Sequence, residues 1–292
     1  MRKLLLIWKR SLAVTARSPV ELLALAAVTA LWMWGAYQWL GLPESSIWVL
    51  LLALVWALIQ VQVLVGVLAG TAVASTEAAK ADAARLRLRA LFKFDRRQFV
   101  QCFIMLAAAA VMAALVAWLF NWVNAHALEV ASFLTFRSER PVSPHTIENI
   151  WGLIALVLWS GLGGLLWYFL LNVLSTGWRE AWHQLGHAVR SCCLGACLLT
   201  SVVTVLVFGG LANLLVGWHP KVSPGFWDYT QVVLRCGVSL ILLAAGWLFW
   251  TLALARMIVV SREDKVASVL QGGPTSAALK GGAANPPPAA QP

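Results

Sequence analysis

Charge is what this chain has least of: only 12% of its 292 residues are Asp, Glu, Lys or Arg. A soluble domain carries about 25%. The deficit is organised. Leu22–Pro43, Ser45–Thr76, Gln98–Leu128, Asn149–Trp178, Ser191–Pro220 and Cys236–Ala255 contain no formal charge, and the shortest of these runs holds 20 residues. About 20 apolar helical residues, rising 1.5 Å each, cross a hydrocarbon layer about 30 Å thick. A soluble enzyme and a disordered chain are excluded. Cysteine is scarce too. Cys102, Cys192, Cys193, Cys197 and Cys236 all fall inside or at the ends of the apolar runs, so no disulfide framework is implied. Cys193 and Cys197 share a helix face, but no His or acid in that run completes a zinc site. They read as small buried apolar residues. Acids are missing from every run, which argues against a proton- or sodium-coupled carrier with midplane carboxylates. A cleavable signal is not expected either. Only Leu4–Trp8 is apolar before Lys9 and Arg10 intervene, and a signal core needs about 7–15 residues.

What is present is basic and tryptophan-rich: 22 Lys and Arg against 12 Asp and Glu, net charge +10, with 17 Trp. Cations cluster before the first run, between the second and third, between the fourth and fifth, and after the sixth. Only Arg137, Arg140, Lys221 and Arg235 fall on the other side. Retention of Lys and Arg on the cytoplasmic side places both termini inside, in a cell membrane of the bacterial inner-membrane kind. The cations sit at the edges of apolar runs, where anionic headgroups lie, so nucleic acid is not the expected partner. Trp39, Trp48, Trp118, Trp122, Trp151, Trp178, Trp218 and Trp227 lie near the ends of the runs, as indoles at headgroup level do.

The expected fold is an all-α integral membrane protein. Residues 1–20 form an amphipathic interfacial helix, 21–261 a six-helix transmembrane domain, and 262–292 a disordered Gly/Ala/Pro-rich cytoplasmic tail. The spans are expected at about 22–42, 47–73, 99–123, 150–174, 191–216 and 233–260. In the first segment Leu4, Leu5, Trp8 and Leu12 share one helical face and Arg2, Lys9, Arg10 and Arg17 the opposite one. Pro19 breaks it from the first span.

The loop Glu77–Arg97 is expected to carry a second cytoplasmic amphipathic helix. Arg85, Arg89, Lys93 and Arg96 recur at helical spacing opposite Leu88, Leu91, Phe92 and Phe94, while Leu86 and Arg87 break the pattern. With Arg97, Lys9 and Arg10 these cations are the candidate site for anionic lipid or a cytoplasmic protein partner. A third, smaller element, Trp178–Arg190, sets Trp178, Trp182, Leu185 and Val189 against Arg179, His183, His187 and Arg190. Its His183-x-x-x-His187 spacing supplies two metal ligands at most, so a headgroup-facing stripe is expected.

Gly66 and Gly70, in a Gly-x-x-x-Gly spacing, and Gly161 and Gly164 are the expected helix-packing positions. Val63–Gly70 faintly echoes Val205–Ala212, in spans that run in opposite directions. Gln60 and Gln62 are expected to hydrogen-bond between helices. Ser160 in the fourth span invites comparison with rhomboid proteases, but Leu158 stands where their motif has glycine and span six holds no histidine. An unactivated hydroxyl is no nucleophile. On the outer side His126-x-x-Glu129 and His145-x-x-Glu148, with His219 and Asp228, are the one set from which a metal-dependent enzyme could be assembled.

Arg10–Pro19 leading into the first span is similar to the start of exporter permeases of the ABC-2 type, which also place an amphipathic inner helix before six spans. The resemblance covers about the first 75 residues and implies a permease driven by an ATPase; the loop after span two lacks their Gly-Thr-Leu-Glu type stretch. The expected function is therefore a non-catalytic membrane subunit or scaffold without catalytic residues, metal or cofactor, for which an oligomer is compatible. The exporter permease is the alternative, and the outer-side metal enzyme a distant third.

Overall fold

The computed structural model describes residues 2–41, 46–87, 89, 91, 93–138, 140–183, 195–218 and 226–271, with backbone alone at 183, 226–228 and 264–271. Every regular element among them is helical: α1 (Arg2–Ala16), α2 (Pro19–Leu40), α3 (Ile47–Lys80), α4 (Arg96–Ala125), α5 (Ala127–Ser138), α6 (Pro144–Thr176), α7 (Trp178–His183), α8 (Ala196–Gly217) and α9 (Phe226–Gln271). Six of these are long and apolar enough to cross a membrane.

Local chemistry places the ends. Pro19 and Pro144 occupy the first turns of α2 and α6, where a missing N–H costs nothing. Ser46 and Ser143 accept the N–H groups of Val49 and Thr146, and the Asp95 N–H donates to Gln98 Oε1 at 2.8 Å to open α4. α6 stops at Gly177, whose φ of 90° favours glycine.

Consecutive long helices pair as three hairpins. In α2/α3, indole N–H groups of Trp32 and Trp56 donate to the Gln60 and Gly35 carbonyls at 2.9 Å, and Trp39 to Ala53 at 3.0 Å. α4 packs along α6, with α5 folded against it. In α8/α9, Ser239 donates to the Ala212 carbonyl and Arg235 to that of Trp218.

Among the described residues the most completely buried stretches of the hairpins lie toward one end. Leu248–Phe249 and Thr251–Arg256 of α9, Trp167–Val173 of α6 and Ala69–Ser75 of α3 are buried on every face. All three stretches lie toward the C-terminal ends of their helices, at the end where α1 and the α3–α4 connection also lie. We call it the basic end. Trp167, Trp247 and Trp250 cluster there with ring centroids 4.8–5.9 Å apart. Toward the opposite end Trp48, Leu54, Trp118, Leu153, Leu214 and Val233 are exposed. The most apolar windows of the six helices are only 6–33% buried, so most of their apolar surface lacks a protein neighbour, far beyond the patches a soluble monomer shows.

Several boundaries differ from the sequence reading. α3 continues past residue 73 to Lys80, and α6 begins at Pro144 rather than 150. α2 begins at Pro19, so Glu21 belongs to it, buried in the first turn; an acid does enter the first long helix, at its N-terminus, where the helix dipole favours negative charge. α9 runs to Gln271, so ten residues of the segment expected to be disordered are helical. Extending an existing helix fixes one residue per hydrogen bond, with no new nucleus to form. The larger correction concerns Glu77–Arg97, which is not an amphipathic helix. α3 ends at Lys80 with Ala81 as its cap, Asp82 has φ 43°, and the described residues among 83–95 form an irregular strap, with 3₁₀ geometry at Arg89 and Leu91, before α4.

Candidate functional site

The strap owes its path to two leucines. Leu86 and Leu91 are both buried, in one cluster with Val14 of α1, Leu25 and Ala26 of α2, Ala74 and Ala78 of α3, and Ala244, Leu248 and Leu252 of α9. Five residues apart, they would point about 140° away from each other on a regular helix, at 100° per residue. An irregular path buries both. The Leu86 N–H donates to Ser18 Oγ at 2.9 Å, and that hydroxyl donates to the Val14 carbonyl at 2.8 Å. The strap is thereby tied to the α1–α2 junction. Leu86, which breaks the helical pattern in the sequence, is its anchor.

The glycines expected to pack helix on helix divide by partner. A Cβ at Gly70 would land on the Leu91 carbonyl, 2.8 Å from its carbon, and one at Gly66 would meet the Phe94 ring at 3.6 Å. This pair receives the strap rather than a helix. Gly161 and Gly164 face α8, where added Cβ atoms would stand 3.3 Å from Leu198 and 2.7 Å from Ser201 Oγ.

With the apolar residues turned in, the cations turn out. Arg85, Arg87, Arg89, Lys93, Arg96 and Arg97 are all exposed, and none makes an ion pair with a described residue. The candidate cations are therefore all open to the surroundings, although no helix face aligns them. Arg97 lies beside the Gly177 turn. Lys9 is exposed on α1. Arg10 is committed elsewhere: its guanidinium stands 3.5 Å from Asp82, whose other oxygen is 3.4 Å from Arg256. Asp82 so joins α1, the strap and α9. Arg256 is 95% buried, and its Nε and Nη1 have no acceptor. Arg262 crosses from α9 to α6, donating to Asn172 Oδ1 at 3.1 Å and Ser175 Oγ at 2.7 Å. Sequence reasoning counted both arginines as surface cations. Arg256, the first charge after a 20-residue apolar run, was the available signal, since a charge set into such a run needs a partner.

α1 also differs from its expected role. Leu4, Ser11, Val14 and Thr15 are buried, and Trp8 donates to Thr200 Oγ1 of α8 at 2.9 Å, while Leu5 and Leu12 stay exposed. Only part of the expected apolar face remains exposed; the rest packs on protein. Tryptophan does more than mark helix ends. Trp247 donates to Thr71 Oγ1 at 3.2 Å and Trp250 to Ser201 Oγ at 2.9 Å, between helices. The echo of Val63–Gly70 in the fifth run does not extend to the backbone. Val63–Gly70 is regular α-helix, whereas Val205–Gly209 is a π-helical turn that carries Phe208 onto Gly246 of α9.

The described outer-side residues form no metal-binding group. His126 Nδ1 lies 2.7 Å from the Trp122 carbonyl, and His145 stands 3.4 Å from Glu148 on the same turn of α6. Among the described residues no group of three His, Cys, Asp or Glu could hold a metal ion. His187, His219, Cys192 and Cys193, and the side chains of His183 and Asp228, lie outside the described set. Cys102 and Cys197 are buried, the Cys197 thiol 3.8 Å from the Gly164 carbonyl oxygen, and Cys236 is exposed. Gln60 Oε1 is buried without a donor. What the basic end can do chemically is hold anions on a fixed, acid-poor surface beside apolar helix faces. Comparison with known protein families, with curated proteins and with solved structures finds no match for this chain.

Proposed function

We propose that this chain is a multi-pass integral membrane protein of the bacterial inner membrane, with both termini in the cytoplasm. It acts there as a non-catalytic subunit or scaffold. The six apolar helices and their unpartnered surfaces support the membrane setting. The observation that carries the functional reading is the strap with the first turn of α4: six exposed cations that make no ion pair with a described residue, beside a backbone held in place by Leu86 and Leu91. Such a surface offers anionic headgroups or an acidic cytoplasmic partner a pre-ordered site, which loses little entropy on binding. The test is purification in mild detergent of the wild type and of an Arg85→Gln/Arg89→Gln/Lys93→Gln/Arg96→Gln variant. Anionic lipid or a cytoplasmic protein that accompanies only the wild type supports the reading, and identical co-purification from both refutes it.

The exporter permease is the second reading, favoured by α1, which precedes the first long helix and is tied to α8 through Trp8 and Thr200. Recovery of an ATPase in the same purification would select it over the scaffold.

A further inference from the structure

A cleft opens under the strap. It has a volume of about 220 Å³ and is walled by Ala24, Leu25 and Val28 of α2 and by Val63, Gly66, Val67 and Thr71 of α3. Leu91 and Phe94 roof it. Between those two in the sequence stands Lys93, which is exposed, with Arg89 and Arg96 on either side and exposed as well. The roof is thus apolar beneath and cationic above.

Its level fits a lipid. Twenty residues of hydrocarbon counted from Ile47, where α3 starts beside Trp48, end near residue 67. Val67 is in the middle of the α3 wall, so the cleft straddles the depth at which acyl chains give way to ester and phosphate groups. From Val63 to Thr71 the wall rises about 12 Å at 1.5 Å per residue. The lining offers no unused polar group from a side chain, because the Thr71 hydroxyl accepts from Trp247 and lies 2.9 Å from the Val67 carbonyl. An extended peptide in this space would leave its own N–H and C=O groups unsatisfied, whereas a hydrocarbon chain has none.

We propose that this cleft is a specific site for an anionic phospholipid, with an acyl chain between α2 and α3 under Leu91 and Phe94 and the phosphate at Arg89, Lys93 and Arg96. The inference rests on the reading of the strap as an anion-binding surface and adds a chain-binding cleft and one lipid class. Gly66 is what leaves the cleft open. A Cβ there makes only an ordinary 3.6 Å contact with Phe94, so a larger side chain would fit the backbone and occupy the space.

The test uses the full chain reconstituted in vesicles of phosphatidylethanolamine and phosphatidylglycerol, extracted in mild detergent, with retained lipid counted by native mass spectrometry. The wild type is expected to keep phosphatidylglycerol in preference to phosphatidylethanolamine. Gly66→Leu fills the cleft from α3 and Val28→Trp from α2. Each is expected to lower phosphatidylglycerol retention roughly tenfold, about 1.4 kcal/mol, with melting temperature and monodispersity unchanged. Arg89→Gln/Lys93→Gln/Arg96→Gln is expected to abolish the headgroup preference. Wild-type retention in either cleft-filling variant overturns the site. If the charge variant still loses the preference in that case, the anion-binding reading of the strap survives; if it does not, both fall. Loss of monodispersity in one filling variant leaves the decision with the other.

Discussion

Gly66 and Gly70 are equivalent as a sequence motif and opposite in the structure, which makes their alanine variants a sharp test. At Gly70 the added methyl falls on the backbone of Leu91, 2.8 Å from its carbonyl carbon. Carbon atoms pack at about 3.5–4.0 Å, so the strap would have to retreat by about 1 Å. A backbone cannot rotate aside as a side chain tip can. Retreat unseats Leu91 and strains the hold of Leu86, both buried in the cluster shared with α1, α2 and α9. Full loss of two buried leucines would cost about 3–6 kcal/mol by area in water. Displacement is only partial, which lowers this, and about 2–3 kcal/mol is expected. At Gly66 the methyl meets the Phe94 ring at 3.6 Å, and helix propensity favours alanine by up to about 1 kcal/mol. Gly70→Ala should therefore lower the melting temperature in detergent by several degrees and speed tryptic cleavage after Arg85, Arg87 and Arg89. Gly66→Ala should leave both near wild type. Equal behaviour of the two variants would refute the seating of the strap on Gly70.

Asp82→Asn should destabilise the fold by about 1–3 kcal/mol, because it leaves the buried Arg256 with no carboxylate. Adding Arg256→Met should restore most of the melting temperature; failure of that rescue would show that the ion pair is not what holds α9 to the strap. Gly246→Ala places a Cβ 2.7 Å from Phe208 Cβ and should cost about 1–3 kcal/mol as overpacking, recovered by Phe208→Ala in the same chain. The melting temperatures of the single and double variants decide this. Trp250→Phe removes the donor to Ser201 Oγ and should lower stability by about 0.5–1.5 kcal/mol. A double-mutant cycle with Ser201→Ala that showed no coupling would count against that bond.

The six long helices were legible because each contains a run without charge, and a run of composition is visible residue by residue. The strap was not. Arg85, Arg89, Lys93 and Arg96 have helical spacing, yet Leu86 and Leu91 find one shared apolar cluster from four helices, and burying both outweighs the local period. The cations stayed exposed under either backbone, so the candidate surface was found through the wrong element. Arg256 and Asp82 were missed for another reason. Their pairing joins positions 174 residues apart, and nothing in the neighbourhood of either residue names the other.

Hydrophobic runs, helix caps and the prolines at helix starts act over a few neighbours, so the chain's composition and order were enough to specify an all-helical bundle with six long apolar members and one basic end. Where the strap lies, which glycine admits it, which arginine is buried and what each indole donates to depend on which helix faces meet. Those contacts form between distant segments, and their free energy exists only once the bundle is assembled.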